Sequence, residues 1–196
     1  MSVRVNQPAP DFKAMAYHRG DYRTVSLADF RGRWAVVFFY PGDYTFVCPT
    51  ELTDVAHHYR ELSGMDVEVL AVSTDSHHVH RAWQDAELAH MVDGGLPFPM
   101  LSDAGGRIGQ AYGVYDDAAG IDVRGTFIVD PDGMLLSAEV NAPALDRNAE
   151  ELLRKLAALR HARETGDVMP ACWVPGKKTL TAGPELVGRV WEVWKR

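Results

Sequence analysis

Residues 33–40 read Arg33-Trp34-Ala35-Val36-Val37-Phe38-Phe39-Tyr40, a nearly continuous apolar run closed by Pro41-Gly42. A run this short, rich in β-branched and aromatic side chains and stopped by turn residues, predicts a buried central strand. The period then changes. After a loop over 41–47, Leu52, Val55, Ala56, Tyr59 and Leu62 recur at helical spacing as far as Ser63-Gly64, and Pro49 stands where a first helical turn accepts proline. The spacing predicts a helix with Cys48 at its N-cap. Val67–Ser73 reads as a second buried strand, and Ser76 to about Met91 as a second helix with Val79, Trp83 and Leu88 facing inward. Strand, helix, strand, helix is the signature of an α/β chain.

Gly94-Gly95-Leu96-Pro97-Phe98-Pro99 breaks the chain before a short segment at Met100-Leu101, and Ala104 to Tyr112 suits a brief helix. Arg124–Asp130 and Met134–Val140 read as strands joined across Pro131-Asp132-Gly133, so an antiparallel pair is expected beside the parallel ones, giving a central mixed sheet flanked by helices. Asp146 opens a last helix, predicted to cover the core with the stripe Leu145, Ala149, Leu152, Leu156 and Leu159, while Arg154, Lys155, Arg160 and Arg163 lie outward or toward its C-terminal half. From Thr165 onward Gly166, Pro170, Pro175, Gly176, Gly183 and Pro184 interrupt every few residues. The expected organisation is a domain over 1–164 and an extended arm over 165–196. Trp173, Trp191 and Trp194 in that arm predict that it lies on a surface, its own or a second subunit's.

Composition narrows the classes. The chain has 196 residues, 46% hydrophobic and 24% charged, which excludes disorder, collagen-like sequence and a disulfide-dense miniprotein. The longest apolar run, Trp34 to Tyr40, falls far short of the ~20 residues of a membrane span. Residues 1–8 contain no apolar stretch of the secretory kind, so a cytoplasmic location is expected. A net charge of −7, with no basic cluster longer than Lys177-Lys178, argues against a nucleic-acid partner. The two cysteines, Cys48 and Cys172, lie 172 − 48 = 124 positions apart, which excludes a Cys-x-x-Cys pair and a compact four-ligand zinc knuckle. His57, His58, His77, His78 and His80 read as a solvated helix face rather than a metal site, and no metal or cofactor is expected.

The chemistry concentrates at Cys48. Backbone N–H groups of a first helical turn point at an N-cap sulfur, and the positive end of the helix dipole favours its thiolate. Glu51 places a carboxylate near the same end, so a cation from elsewhere in the fold is required. Arg124, at the start of a strand, is the candidate, because strand ends converge where a loop enters a helix. The hydroxyl of Thr45 can donate and accept, so it suits one oxygen of a peroxide while N–H groups and Arg124 stabilise charge on the other; Pro41 would wall the pocket.

The stretch Phe39-Tyr40-Pro41-Gly42-Asp43-Tyr44-Thr45-Phe46-Val47-Cys48-Pro49-Thr50-Glu51-Leu52 resembles the peroxidatic motif of the peroxiredoxins, in particular the typical 2-Cys group that includes the bacterial alkyl hydroperoxide reductases of AhpC type. The likeness continues through Ala9-Pro10-Asp11-Phe12, Val72-Ser73-Thr74-Asp75-Ser76, Ala82-Trp83, Phe98-Pro99-Met100-Leu101-Ser102-Asp103, Arg124-Gly125-Thr126-Phe127 and Leu186-Val187-Gly188. The resemblance implies a thioredoxin-like fold and a thiol-dependent peroxidase in which Cys48 becomes a sulfenic acid, with Pro41, Thr45 and Arg124 as the pocket and Glu51 linked into the arginine network. It implies thioredoxin or a flavoprotein disulfide reductase as electron donor, and homodimers assembling into a ring. The family's C-terminal signature is Val-Cys-Pro-Ala followed two residues later by Trp. This chain has Val168-Met169-Pro170-Ala171-Cys172-Trp173. Met169 holds the resolving position and a cysteine follows three places on, up to ~10 Å away if extended. Resolution by Cys172 of a partner subunit and a one-cysteine cycle with an external thiol are the two readings this leaves; a non-enzymatic chaperone or scaffold ring is a third role. A disulfide reductase of the same fold is excluded by the missing second cysteine of its motif.

Overall fold

The computed structural model describes residues 3–195, in two compact units, 1–149 and 150–196. The first holds ten strands: β1 (Gln7–Pro8), β2 (Lys13–His18), β3 (Asp21–Ser26), β4 (Trp34–Phe39), β5 (Val67–Ser73), β6 (Met100–Ser102), β7 (Tyr115–Asp116), β8 (Ile121–Asp122), β9 (Arg124–Val129) and β10 (Met134–Asn141). Eight form one sheet in the order β1-β10-β9-β4-β5-β6-β2-β3, and β7-β8 is a separate hairpin. Every residue of β4 is buried, as its unbroken apolar run requires of a strand covered on both faces. It runs parallel to β5, from Trp34 opposite Val67 to Phe39 opposite Val72, and antiparallel to β9, with Phe39 opposite Gly125.

That register decides where the chemistry falls. Because β9 runs against β4, the beginning of β9 meets the end of β4, and Arg124 arrives where β4 gives way to the loop 41–47. The loop leads into α1 (Cys48–His57), followed by α2 (Tyr59–Gly64). The second predicted helix is composite: α3 (His77–Trp83) passes into a π-helical turn, Gln84–Leu88, and then α4 (Ala89–Met91). Trp83 and Leu88 are buried; Val79 is only partly so. α5 (Arg107–Tyr112) begins after Gly105-Gly106, later than the expected Ala104, because both glycines take positive φ and hold the chain out of the helix. Phe39, Phe127 and Tyr112 meet at the centre of the core with ring centroids 4.9–5.7 Å apart, and burial of each such ring is worth about 2–3 kcal/mol.

The hairpin β2–β3 is not predicted by the hydrophobic pattern. Its alternation, exposed Lys13 and Met15 against buried Ala14 and Ala16, rests on small alanines that carry little hydrophobic signal, and its turn uses Arg19, at φ +49°, before Gly20.

The last helix, α6 (Ala149–Thr165), begins three residues after the expected Asp146; its first residue closes the first unit and the rest of it belongs to the second. Ala149 N–H is capped at 3.0 Å by Asp54 of α1, a partner no local pattern could supply. Beyond α6 the chain folds into a closed loop. Val168 and Leu180 form an isolated antiparallel bridge, and Asp167 accepts the hydroxyls of Thr179 at 2.6 Å and Thr181 at 2.8 Å. Trp173 is buried within this unit's loop, its indole N–H donating to the Lys177 carbonyl. Cys172 beside it is exposed and sits at φ +59°. A single turn of helix, α7 (Val190–Val193), follows. No helix among the described residues is long and apolar enough to cross a membrane.

Candidate active site

Cys48 is the first residue of α1 rather than its N-cap. Val47 already has helical backbone angles and its carbonyl accepts the Glu51 N–H at 3.2 Å, so the helix starts one residue earlier than expected. The consequence for the sulfur is small, since the first four N–H groups of a helix all lack internal partners. Cys48 is 0% exposed.

The cation demanded by Glu51 is present twice. Arg124 donates from one Nη1 to Cys48 Sγ at 3.4 Å and to Glu51 Oε2 at 2.6 Å, while its Nε donates to the Pro143 carbonyl at 3.1 Å. Arg147, which the hydrophobic pattern places without distinction in a helix start, grips both oxygens of the same carboxylate at 2.9 Å through Nε and Nη2. Its Nη1 donates to the carbonyls of Phe39 and Gly125, the facing ends of β4 and β9, and its guanidinium carbon lies 3.5 Å from the centre of the Phe38 ring. Burial lowers the basicity of Arg147, and the hydrogen bonds and charge of Glu51 oppose that loss. Charge counting was the signal available for this residue. A thiolate and Glu51 together carry two negative charges, so one arginine leaves a buried excess and a second neutralises it.

Pro41 and Thr45 lie on the loop before Cys48, both partly buried. Thr45 donates its hydroxyl to the Gly42 carbonyl at 2.9 Å, leaving its lone pairs free to accept. Tyr44 takes φ +54°, and Phe46 is 95% exposed. The loop is anchored from below by Asp43, whose N–H donates to Asp75 at 2.8 Å and whose carboxylate accepts the Tyr40 hydroxyl at 2.8 Å. The other Asp43 oxygen stands 2.8 Å from Nδ1 of His80. His80 therefore departs from the solvated face expected for these histidines. It is fully buried, with Nε2 directed at the Leu101 carbonyl at 3.2 Å, because α3 turns this position toward the loop and β6. Burial pushes the Asp43 carboxyl up, and the hydrogen bond from His80 pulls it back. Among the described residues no group of three or more His, Cys, Asp or Glu side chains could hold a metal ion.

The site thus joins a buried cysteine at a helix mouth, a strand-borne arginine and a loop bearing proline and threonine, and two family models match the chain around it. One, described as the AhpC/TSA family, matches residues 5–138, and one, described as the C-terminal domain of 1-Cys peroxiredoxin, matches residues 158–195. The chain belongs to the AhpC/TSA family. It is 49% identical over 194 residues to the selenocysteine-containing peroxiredoxin PrxU of Peptoclostridium acidaminophilum, covering 98% of this chain and 96% of that one. It is 40% identical to an alkyl hydroperoxide reductase C of Staphylococcus aureus, covering 95% of this chain and 98% of that one. Among solved structures, reduced 2-Cys peroxiredoxin of Plasmodium vivax superposes with a TM-score of 0.86 at 34% identity, covering 90% of this chain and 92% of that one. AhpC of Enterococcus faecalis superposes with a TM-score of 0.80 at 45% identity, covering 87% of this chain and 100% of that one. This peroxiredoxin, of the alkyl hydroperoxide reductase C type and thioredoxin-like fold, is an enzyme of thiol-dependent peroxide reduction.

Proposed function

We propose that Cys48 is the peroxidatic residue of a cycle acting on hydrogen peroxide and alkyl hydroperoxides. The observation that carries this reading is the buried sulfur 3.4 Å from Arg124 at the mouth of α1. The Cys48 thiolate attacks the terminal oxygen of ROOH; the S–O bond forms as the O–O bond breaks, giving Cys48 sulfenic acid and an alkoxide that takes up a proton to leave as alcohol or water. Arg124 and the first-turn N–H groups stabilise the charge developing across the breaking bond. Thr45 accepts a hydrogen bond from the peroxide hydroxyl, Pro41 screens the sulfur from water, and Glu51 holds Arg124 in place.

We infer that Cys172 of a partner subunit resolves the sulfenic acid: its thiol condenses with Cys48 S–OH, forming a disulfide and releasing water. Its exposure and its position in the 165–196 arm support this role. Because Cys48 is buried within the first turn of α1, that turn must unwind before the two Cα atoms come within ~7 Å. Thioredoxin or a flavoprotein disulfide reductase then restores both thiols; a thioredoxin-dependent peroxide reductase of Drosophila melanogaster is 40% identical over 185 residues. The exposed Phe46 beside the site, and Val187 and Trp191 in the second unit, are the apolar surfaces on which homodimers and a ring would form. Two free thiols suit the cytoplasm. The one-cysteine cycle is the second reading, favoured by the match of residues 158–195 and by Met169 at the usual resolving position.

One equivalent of hydrogen peroxide, followed by non-reducing electrophoresis, separates the two. The expected product is a covalent dimer that disappears in Cys172→Ser. A wild-type chain that stays monomeric on the gel while consuming peroxide assigns the one-cysteine cycle instead.

A further inference from the structure

Asp122, the last residue of β8, is completely buried, and neither carboxyl oxygen has a hydrogen-bond partner among the described residues. Buried polar side chains are nearly always paired, so this one calls for an account, and the peroxide chemistry does not use it. Its surroundings are shaped to admit it. A Cβ on Gly109 of α5 would stand 1.9 Å from Asp122 Oδ1, so glycine at 109 makes the space the carboxyl occupies. The charged group bearing on Asp122 is a second acid, Asp103 just after β6, whose Oδ2 accepts the Gly109 N–H at 2.8 Å. Arg107 of α5 acts on Asp103, and from β7 the facing residue is Tyr115, paired with Asp122 across the hairpin. Burial first, and Asp103 second, push the Asp122 acid up to about 7.

The hairpin carrying this acid leads directly into the site. Val123 N–H donates to the Val114 carbonyl at 2.8 Å, Arg124 follows, and Gly125 packs so closely on Val114 that a Cβ there would lie 2.8 Å from it. The backbone that presents Arg124 is thus seated on the segment that Asp122 closes.

We propose that Asp122 is a positioning residue that works only as the neutral acid. Uncharged, it lets the β7–β8 hairpin seal against α5 and fixes the chain entering Arg124; ionised, it cannot stay in a site that offers it no cation among the described residues and sets a carboxylate beside it, and the hairpin opens. The enzyme therefore carries an alkaline release of Arg124. This rests on the reading of Arg124 as the cation of the Cys48 site.

Asp122→Asn keeps the shape of the neutral form and cannot ionise, so it is the test. Wild type and variant are expected to react with hydrogen peroxide at similar single-turnover rates at pH 6, and the variant-to-wild-type ratio to rise about tenfold by pH 8, as the ionised fraction of an acid titrating near 7 dictates. Backbone amide exchange at Val123 and Arg124 should rise over the same interval in wild type relative to the variant. A ratio and a relative exchange that stay constant from pH 6 to pH 8 overturn the proposal. Should Asp122→Asn fail to fold, Gly109→Ala and the double variant Gly109→Ala/Asp122→Ala replace it; the single change must lower the melting temperature and the double restore it, and equal losses in both refute the packing. If Arg124→Gln leaves the peroxide rate untouched, the site reading has failed, and the exchange data still report on Asp122 separately.

Discussion

Cys48→Ser is expected to lower peroxide turnover by about 10³-fold or more while the chain melts within a few degrees of the wild type. The hydroxyl replaces the thiol within the same buried space and can still accept the Arg124 N–H that now reaches Sγ at 3.4 Å. Serine nevertheless has no accessible anion at neutral pH and no oxidation state corresponding to sulfenic acid. Loss of rate with retention of fold therefore isolates the sulfur. Peroxide consumption with excess dithiothreitol, followed beside a thermal melt, reads both quantities. Turnover that survives the substitution would mean that the reaction does not pass through this residue.

The second large effect is expected at Glu51. Its carboxylate accepts Arg124 at 2.6 Å and Arg147 at 2.9 Å, and all three side chains are buried. Glu51→Gln keeps the volume and removes the charge, leaving two guanidinium groups facing each other out of water. Breaking a buried ion pair from one side costs about 3–5 kcal/mol. Released from Glu51, Arg124 also loses its fixed aim at Sγ, so the rate of sulfenic acid formation should fall about a hundredfold, the scale of losing one preorganised donor. Adding Arg147→Met to Glu51→Gln removes the excess charge, and denaturant unfolding should then recover part of the lost stability but little of the rate. Full stability in Glu51→Gln alone would show that the triad is solvated and carries no such energy.

Much of this architecture is legible in local patterns, and its departures have local causes. The strand over 34–39 is strong because every residue is apolar and buried, and those over 67–73 and 124–129 stay legible because the buried apolar runs Val69–Val72 and Phe127–Val129 outweigh the polar residues Glu68 and Thr126. The hairpin β2–β3 escapes notice because alanine fills its inward positions. His80 reads as a solvent-facing neighbour of His77 and His78, and only the approach of the 41–47 loop and β6 turns it into a buried partner of Asp43. Cys48 and Glu51 share one helical turn, so their proximity is readable from spacing alone. Arg147 lies 96 positions from Glu51 and belongs to no motif, which leaves charge balance as its single trace.

What the amino-acid order determined by itself is the local half of the site: a cysteine opening a helix, a loop of proline and threonine before it, and an acidic neighbour that creates a need for positive charge. Which cations meet that need was decided by the sheet. Antiparallel pairing of β9 with β4 delivers Arg124 from 76 positions away, and the same strand ends hold Arg147 through their carbonyls. Side chains three or four residues apart meet through helix geometry alone, whereas contacts this distant form only once burial of the strands sets their register.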